Sequence, residues 1–305
     1  MTYRQSNIKR NLKLRARIIQ SVRQFFIAND YLEVETPYRI PSPAPEAHID
    51  AEISGRWFLH ASPELCMKRL LASGYDRIFQ ICKCFRQKER GRRHLPEMTL
   101  LEWYTVGHNY LNMMEQCEEL IGFLGRQIGL GDCLFYQGKN IDLKAPWPRM
   151  SVDNAFDRFA PISMEEALSQ NRFDDVLACD VEPNLGLEKP LFLYDFPAKC
   201  ASLARLKADN PSIAERFELY IGSMELCNAF SELTETAEQI KRFEQEQSIR
   251  SRSGKSIFPL PEKFIQSLTL MPEAAGNALG LDRLVMLFTD TTTIDDVVAF
   301  IPEEL

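Results

Sequence analysis

The chain has 305 residues, a formal net charge of −7, and 45% hydrophobic and 26% charged residues. That composition is typical of a folded domain with a full core, and the acidic balance argues against a broad electrostatic surface for nucleic acid. No apolar run reaches the roughly 18 residues that span a bilayer, and the N-terminal residues MTYRQSNIKRN lack the apolar stretch of a signal peptide, so we expect a cytoplasmic protein.

A helix and an extended segment are predicted first. Apolar residues recur at helical spacing over Leu12–Phe26, and Asn29–Asp30 interrupts the pattern before YLEVETP. The proline-rich loop at 41–45 cannot join a central strand ladder. After it, WFLH predicts a strand, and a helix is predicted over Pro63–Leu71 with Glu64 in its first turn.

An arginine-rich turn lies between the next two predicted strands. The run RIFQICKCF predicts a strand that ends at Arg86. The turn supplies forked donors suited to phosphate, although a solvated charged surface is an alternative interpretation. The second strand alternates, with Met98, Leu100, Glu102 and Tyr104 on one face and Thr99, Leu101 and Trp103 on the other. An acid and a phenol thus share a face, which predicts a site for both an anionic and a cationic ligand.

The remaining elements complete an α+β pattern. In chain order they are a helix over Tyr110–Ile128, a turn-rich segment over Gly129–Pro148, inserted helices at about 150–180, and strands over Pro190–Phe196, Arg216–Ile221 and Glu225–Phe230. A further helix is predicted from Thr234, with that threonine as its cap and an ion pair between Glu238 and Arg242. No linker divides the chain, so we expect one domain over 1–305, with a mainly antiparallel sheet flanked by helices.

Eight cysteines are spread along the chain. They are Cys66, Cys82, Cys84, Cys117, Cys133, Cys179, Cys200 and Cys227. None forms a CxxC pair, and no Cys/His spacing suits zinc. We expect them to be reduced and mostly buried.

Two sets of carboxylates carry candidate chemistry. Glu218 and Glu225 lie on successive predicted strands, and paired carboxylates near a polyphosphate suit a hard cation such as Mg²⁺. Glu232 and Glu102 would bracket a cavity floored by Tyr104, which suits a desolvated ammonium group. A surface ion-pair role is the alternative interpretation for Glu218 and Glu225, and two unrelated surface glutamates are the alternative for Glu102 and Glu232.

Several segments resemble those of a known family. GNALGLDRLVML near the C-terminus, DYLEVETP near the N-terminus and the arginine-rich central segment resemble motifs 3, 1 and 2 of the class II aminoacyl-tRNA synthetases. SPELCMKRLL, RHLPEMTLLEWY, ERFELYI and MELCNAFSEL resemble the lysine branch of that class. The match runs from about Leu14 to the C-terminus. It implies the class II catalytic core and a homodimer formed through motif 1.

The resemblance implies how ATP is handled. Arg86 would hold a carboxylate against the α-phosphate, and Arg283 would meet the triphosphate and one face of the adenine. The remaining ATP contacts are implied at Gln87, Lys88, Glu89, His94, Leu95, Met98, Glu225, Leu226 and Gly280. Mg²⁺ ligands are implied at Glu218 and Glu225.

The resemblance also implies an amino-acid pocket. Glu102 and Glu232 would bind the side-chain ammonium of lysine above Tyr104. Arg86 and Asn228 would take the carboxylate, while Ser62 and Glu64 would take the other amine. Pro63, Phe230 and Ala278 complete the implied pocket.

The chain departs from the family pattern in four places. Lys88 lies where the family has the acid of an Arg-x-Glu motif, so Glu89 would have to supply that contact through a shifted loop, if it is made at all. Leu95 replaces an Asn. Met98 replaces the Phe on which adenine stacks, and a thioether covers a ring less rigidly, so we expect looser adenine binding. Ala278 replaces a Gly, which would reshape the pocket beside the backbone-proximal amine and favour a β-amino acid.

These features resemble the free-standing paralogues of lysyl-tRNA synthetase that attach lysine or (R)-β-lysine to a lysine side chain of translation elongation factor P. Few residues precede the first predicted helix, so we expect no anticodon-binding domain and no stable tRNA binding. Ser62 and Ala278 occur at positions where the synthetase has Ala and Gly. Two other functions remain open: a minimal synthetase that charges tRNA or a small carrier, and a catalytically dead paralogue that binds an adenylate as a signal.

Overall fold

The computed structural model describes residues 3–305 and is centred on β-strands. The strands are β1 (Leu32–Glu33), β2 (Arg39–Ile40), β3 (Glu52–Ser54), β4 (Trp57–Leu59), β5 (Arg77–Phe85), β6 (Glu97–Val106), β7 (Cys133–Tyr136), β8 (Lys139–Asp142), β9 (Arg149–Ser151), β10 (Leu191–Pro197), β11 (Ile213–Ile221), β12 (Met224–Ser231) and β13 (Ala274–Gly280).

Helices fill the intervals between the strands. They are α1 (Arg4–Asn7), α2 (Lys9–Ala28), α3 (Glu64–Leu71), α4 (Tyr110–Ile128), α5 (Val152–Phe159), α6 (Met164–Ser169), α7 (Phe173–Val176), α8 (Thr236–Arg252), α9 (Glu262–Ser267) and α10 (Leu281–Thr289). Within residues 3–305, no helix is long and apolar enough to cross a membrane.

Eight of the strands form one sheet. Their order is β1-β5-β6-β13-β12-β11-β10-β9. The six inner strands pair antiparallel, while β1 and β9 pair parallel with their neighbours at the two edges. Strands β2, β4 and β3 form a small separate sheet, and β7 pairs with β8. The expected α+β fold with a mainly antiparallel sheet is confirmed.

The two faces of the large sheet have different roles. Leu101 and Trp103 of β6 are fully buried in a core that also contains residues of α2, α4 and α10. Glu102 and Tyr104 point to the opposite face, where a large cavity opens. The predicted alternation of β6 is therefore confirmed, and it separates the core from the candidate site.

Two predictions about helix ends differ in outcome. Helix α2 ends as expected, because Asp30 adopts a left-handed conformation with φ of 62°. Thr234 does not cap α8: the helix begins two residues later, after Glu235, whose side chain makes no capping hydrogen bond. The ion pair between Glu238 and Arg242 is present at 2.9 Å.

The segment expected to be helical near 150–180 contains α5, α6 and α7, followed by short π and 3₁₀ turns that end at Asn184. Its apolar residues form their own cluster, which packs on β10 and includes Phe156 and Phe173 as a stacked pair 5.2 Å apart. The eight cysteines are all free. Only four of them are buried, and Cys133 and Cys179 are exposed, so the expectation that most are buried was wrong.

Gly186 lies where this helical segment meets the sheet, and its substitution by alanine tests how closely the two pack. Its φ is +67°, and a Cβ there would overlap the backbone carbonyl of Tyr220. Gly254 has nearly the same φ, +68°, with no heavy atom within 4 Å of an added Cβ. Both glycines therefore impose the same dihedral strain on a replacement residue, but only Gly186 adds overlap.

We predict that Gly186→Ala lowers the free energy of unfolding by about 3 kcal/mol, whereas Gly254→Ala lowers it by about 1 kcal/mol. Denaturant unfolding of both variants measures the difference. Equal losses of unfolding free energy would show that the positive φ alone sets the cost. The backbone near Tyr220 would then have moved to accommodate the added Cβ.

Candidate active site

A cavity of about 620 Å³ lies on the face of the sheet opposite α2, α4 and α10. Its floor is formed by β6, β13, β12 and β11, and its walls come from the loop after β2, the start of α3, the turn after β5, and α8. A volume of this size is typical of small-molecule sites.

The structure brings most of the predicted site residues together around this cavity. The lining includes Ser62, Glu64, Arg86, His94, Leu95, Met98, Glu102, Tyr104, Glu218, Glu225, Leu226, Asn228, Phe230, Glu232, Ala278, Gly280 and Arg283. Four predicted residues do not line it: Pro63, Gln87, Lys88 and Glu89. Pro63 instead precedes the first residue of α3.

One end of the cavity is acidic and almost closed to solvent. Glu102 is 1% exposed and accepts hydrogen bonds from the Ser62 hydroxyl at 2.6 Å and the Tyr104 hydroxyl at 3.0 Å. Ser62 Oγ also accepts from the backbone N–H of Glu64 at 3.0 Å. Ser62 therefore orients Glu102 and the start of α3 at the same time.

Lys68 is a buried cation at this end that sequence reasoning missed. Its Nζ lies 2.5 Å from a carboxylate oxygen of Glu64 and 2.5 Å from one of Glu232. The contact with Glu232 is an ion pair between two buried side chains. Its spacing of four residues from Glu64 on a predicted helix could have revealed the first of these contacts.

The acidic end holds more carboxylates than cations, and this shifts their pKa values. Burial, followed by the charge of Glu64, raises the pKa of Glu102 well above its ordinary value. Burial raises the pKa of Glu232 to about 8, although Lys68 opposes the shift. Burial alone would lower the pKa of Lys68, but the charges of Glu232 and Glu64 outweigh it, so the ammonium stays protonated. A second cation would relieve the excess negative charge.

A glycine allows this end to close. A Cβ at Gly276 would lie 2.5 Å from Glu232 Oε1 and would overlap the ring of Tyr104. Gly276 pairs with Tyr104 on one side and with Phe230 on the other. The absence of a side chain at this position lets the acid and the phenol converge on one volume.

The other end of the cavity carries arginines. Arg86 follows β5, lies 3.7 Å from Glu89, and has a buried Nε with no hydrogen-bond partner. Arg283, in the first turn of α10, donates from Nη1 to the carboxylate of Glu225 at 3.0 Å and contacts His94 Nε2 at 2.5 Å. Burial, together with the nearby Arg283, lowers the pKa of His94, so the imidazole accepts this hydrogen bond. Arg86 is thus the arginine with unsatisfied donor capacity.

Glu218 and Glu225 lie on β11 and β12, near the bulge between these strands, as the sequence predicted. Burial raises the pKa of Glu218 to about 7, and its carboxylate accepts from Arg216 at 2.7 Å and from the Tyr220 hydroxyl at 2.7 Å. Arg216 also donates to Asn228 at 3.1 Å. Sequence reasoning missed Arg216, although it lies two residues before Glu218 on the same strand face.

These carboxylates fit a magnesium site by their chemistry. Both face the cavity between cationic side chains, and Mg²⁺ is commonly held by one or two carboxylates with phosphate oxygens. Their partners here, Arg216 and Arg283, compensate their charge in the same way that a metal ion would.

The arginine-rich turn divides its charges between two sites. Arg93 lines the cavity and donates to the carbonyl of Ser223 at 2.9 Å. Arg90 points elsewhere, to Asp295 at 3.0 Å and Glu303 at 2.9 Å. The surface-charge interpretation therefore suits Arg90, whereas Arg86 and Arg93 suit an anionic ligand in the cavity.

Comparison with known proteins agrees with this arrangement. The family model described as tRNA synthetases class II (D, K and N) matches residues 1–304. The chain belongs to this family, so its fold is that of a class II synthetase core.

Relatives within the family are more specific. Proteins named elongation factor P–(R)-β-lysine ligase are 37% identical over 308 residues in Vibrio atlanticus, covering 95% of both chains, and 38% identical over 307 residues in Pseudoalteromonas translucida, covering 95% of this chain and 94% of that one. A protein of the same name in Pectobacterium atrosepticum is 37% identical over 308 residues, covering 95% of this chain and 94% of that one. The chain therefore belongs with these ligases inside the class II family.

The carboxyl pKa values predict how stability depends on pH. A buried carboxyl whose pKa is raised in the folded state binds protons more tightly there than in the unfolded chain. Its stabilising effect is complete below the unfolded pKa and is lost as pH rises through the folded pKa. For Glu232 and Glu218, that loss extends up to pH values of about 8 and about 7.

We predict that the thermal stability of the ligand-free protein falls between pH 5.5 and 8.5, and that Glu232→Gln flattens the upper part of this dependence. Each such group contributes at most about 1.4 kcal/mol per pH unit. Glu97→Gln, at an exposed position, should keep the wild-type slope. A Glu232→Gln variant with the wild-type slope would show that Glu232 is ionised throughout this range.

Proposed function

We propose that the protein is an ATP-dependent ligase that activates (R)-β-lysine or lysine as an aminoacyl-adenylate and transfers it to a lysine side chain of translation elongation factor P. The observation that carries this proposal is the polarity of the cavity, with surplus carboxylates at its closed end and the unsatisfied Arg86 at the other. The names of the relatives support the same substrate and acceptor.

The closed end would select the side-chain ammonium of the substrate. Glu102 and Glu232 are both 1% exposed, and Tyr104 lies beneath them. Lys68 alone does not balance the carboxylates at this end, and the ammonium of a bound substrate would neutralise the remaining charge. A neutral side chain would leave these polar groups unpaired and would be rejected strongly.

Arg86 and Asn228 would orient the substrate carboxylate. Arg86 lines the cavity and has a buried Nε without a hydrogen-bond partner, and Asn228 already accepts from Arg216, which fixes the direction of its amide. The amide nitrogen of Asn228 is then available as a donor. Ser62 and Glu64 would meet the backbone-proximal amine, and their hydrogen bond to each other limits their movement.

The reaction then has two steps. A carboxylate oxygen of the amino acid attacks the α-phosphorus of ATP, and the bond to the pyrophosphate leaving group breaks. The amine of the acceptor lysine next attacks the acyl carbon, AMP leaves with the electron pair of the acyl–oxygen bond, and the amine loses a proton. Arg86 and Arg283 would stabilise the phosphate charge and hold the reacting atoms in place.

Glu218 and Glu225 would hold Mg²⁺, with ATP phosphate oxygens completing its coordination. The ion, when bound, would supply charge neutralisation at the polyphosphate. Met98 and the side chain of Arg283 would cover the adenine. Glu89, which lies beside Arg86, is the acid of the turn closest to the position that the family pattern assigns to an acidic contact.

The protein would act as a homodimer of catalytic domains. In and directly beside the segment that resembles motif 1, the side chains of Ile27, Leu32 and Tyr38 are 60%, 51% and 47% exposed. Such an apolar surface favours association of two copies. Light scattering on the purified protein distinguishes the dimer from the monomer.

The decisive experiment is intact mass spectrometry of elongation factor P after incubation with the protein, ATP, Mg²⁺ and either (R)-β-lysine or α-lysine. We predict a gain of one aminoacyl unit, larger with (R)-β-lysine. Arg86→Ala should abolish the gain, and Arg90→Ala should retain it, because Arg90 is paired outside the cavity.

The outcomes separate the competing functions. Pyrophosphate exchange without a mass gain would keep the adenylate chemistry and contradict elongation factor P as the acceptor. Absence of both would indicate a protein that only binds an adenylate.

Ala278 gives a prediction about the choice between the two amino acids. It lies on β13 between Glu102 of β6 and Asn228 of β12, so its methyl group lies between the groups assigned to the two ends of the substrate. We predict that Ala278→Gly shifts the ratio of kcat/KM values toward α-lysine by about tenfold, the effect of roughly one methyl group in a pocket.

Ala275→Gly is the matched control, since Ala275 lies on the same strand but is buried in the core. It should leave the ratio unchanged while reporting the cost of a glycine in this strand. An unchanged ratio of kcat/KM values in Ala278→Gly would show that Ala278 does not determine the choice between (R)-β-lysine and α-lysine.

A further inference from the structure

Three buried side chains that could bind a soft metal ion meet outside the cavity. His60, Cys82 and Cys84 each offer one ligand atom, and these atoms lie within 4.8 Å of one another. They are 1%, 3% and 0% exposed, and none of them lines the active-site cavity. Sequence spacing did not reveal this group, because His60 lies more than twenty residues before the cysteines.

The fold itself brings the histidine to the cysteines. Cys82 and Cys84 alternate on one face of β5, while His60 directly follows β4 of the small sheet. The backbone N–H of Phe85 donates to the carbonyl of His60 at 2.9 Å, and the N–H of His60 donates to the carbonyl of Tyr38 at 2.8 Å. The cluster therefore connects the small sheet to the strand that leads to Arg86.

Hydrogen bonding fixes the tautomer of His60. Its Nε2 lies 2.7 Å from the carbonyl of Lys83, which can only accept, so Nε2 carries the proton. Nδ1 then has a free lone pair, and it is buried without a hydrogen-bond partner. Histidine ligands of metals commonly donate their other N–H to a backbone carbonyl in this way.

The two thiols have the spacing of thiolates on one metal ion. Their sulfurs are 3.8 Å apart. Two sulfurs at about 2.3 Å from a tetrahedral Zn²⁺ would be separated by about 3.8 Å.

The charge of the cluster favours a divalent ion. Two thiolates and a neutral imidazole sum to −2, so Zn²⁺ makes a neutral group, which a buried environment tolerates best. The apolar side chains of Leu100 and Met98 pack against the thiols. The amide oxygen of Gln80, buried without a partner on the same strand face, is available for the fourth position.

We propose that His60, Cys82 and Cys84 form a zinc site that ties the small sheet to β5 beside the active-site cavity. Binding forms bonds from Zn²⁺ to the two sulfurs and to His60 Nδ1, and it releases the two thiol protons to solvent. The site is separate from the magnesium site at Glu218 and Glu225, and it does not depend on the reaction that the protein catalyses.

A second cysteine pair provides an internal control. Cys117 and Cys227 are also buried with their sulfurs 3.9 Å apart, but their polar neighbour is the amide of Asn277, which donates to Cys117 at 3.1 Å. This pair has the amide donor of Asn277 beside it and no histidine, so it lacks a third metal ligand. Cys117→Ser therefore removes a thiol from a pair of the same geometry without affecting the proposed site.

The test uses Co²⁺ as a spectroscopic probe for Zn²⁺. The reduced, metal-free protein is titrated with Co²⁺, and the absorption of thiolate-to-cobalt charge transfer and of tetrahedral Co²⁺ is recorded. We expect one Co²⁺ per chain, displaced by one equivalent of Zn²⁺, in the wild type and in Cys117→Ser. Cys84→Ser and His60→Gln should each weaken binding by more than about tenfold.

Circular dichroism shows whether each variant is folded. The wild-type Co²⁺ titration tests the proposal even if a variant does not fold. Absence of tetrahedral cobalt absorption in the wild type would overturn the proposal. So would equal Co²⁺ binding by wild type and Cys84→Ser. A mass loss of two hydrogens located to Cys82 and Cys84 in the protein as purified, without bound zinc, would assign the pair to a disulfide instead.

Discussion

The arrangement of the site depends on one buried ammonium group that is shared among too many carboxylates. Lys68 pairs with Glu64 and Glu232, and Glu102 lies in the same closed end of the cavity. Burying an ionised carboxylate without a cation costs several kcal/mol. The buried carboxyl groups of the ligand-free pocket therefore tend to stay protonated. The pocket is therefore incomplete by charge, and a cationic ligand completes it. For the proposed function, selectivity for a cationic side chain would follow from this deficit more than from shape.

The strand register gives this charge distribution its precision. Glu102, Ala278 and Asn228 lie side by side on three adjacent strands, so their spacing is set by backbone hydrogen bonds and not by flexible loops. Sites built on strands hold their side chains more closely than sites built on loops. Gly276, one position along the alternation, removes the side chain that would block Tyr104 and Glu232. Strand β13 therefore supplies part of the pocket wall at Ala278 and leaves open space at Gly276.

Much of the site could be predicted because its residues lie on elements with strict periodicity. The alternation of β6 correctly placed Glu102 and Tyr104 opposite Trp103, and the motif resemblance placed Arg86 and Arg283. What could not be predicted were the pairings between distant segments. The sequence shows Arg90 as one arginine among several, and only the fold pairs it with Asp295 and Glu303.

The same limit explains the other omissions. Lys68 was passed over because its second partner, Glu232, is far away in sequence, and a lysine on a helix is usually solvated. His60 was not connected with Cys82 because the hydrogen bonds that align β4 with β5 cross the boundary between two sheets. Thr234 does not cap α8, because the helix begins at Thr236 and Glu235 occupies the cap position.

The difference in exposure between the two ends of the cavity has a consequence for the acceptor. Glu102 and Glu232 at the closed end are each 1% exposed, whereas the side chains of Arg86 and Arg283 are 27% and 19% exposed. A lysine bound with its ammonium in the closed end would therefore present its carboxyl group toward solvent. An attacking amine must approach the acyl carbon from this open side. A lysine side chain on a folded protein can reach such a position without entering the acidic end, where its own charge would compete with that of the substrate.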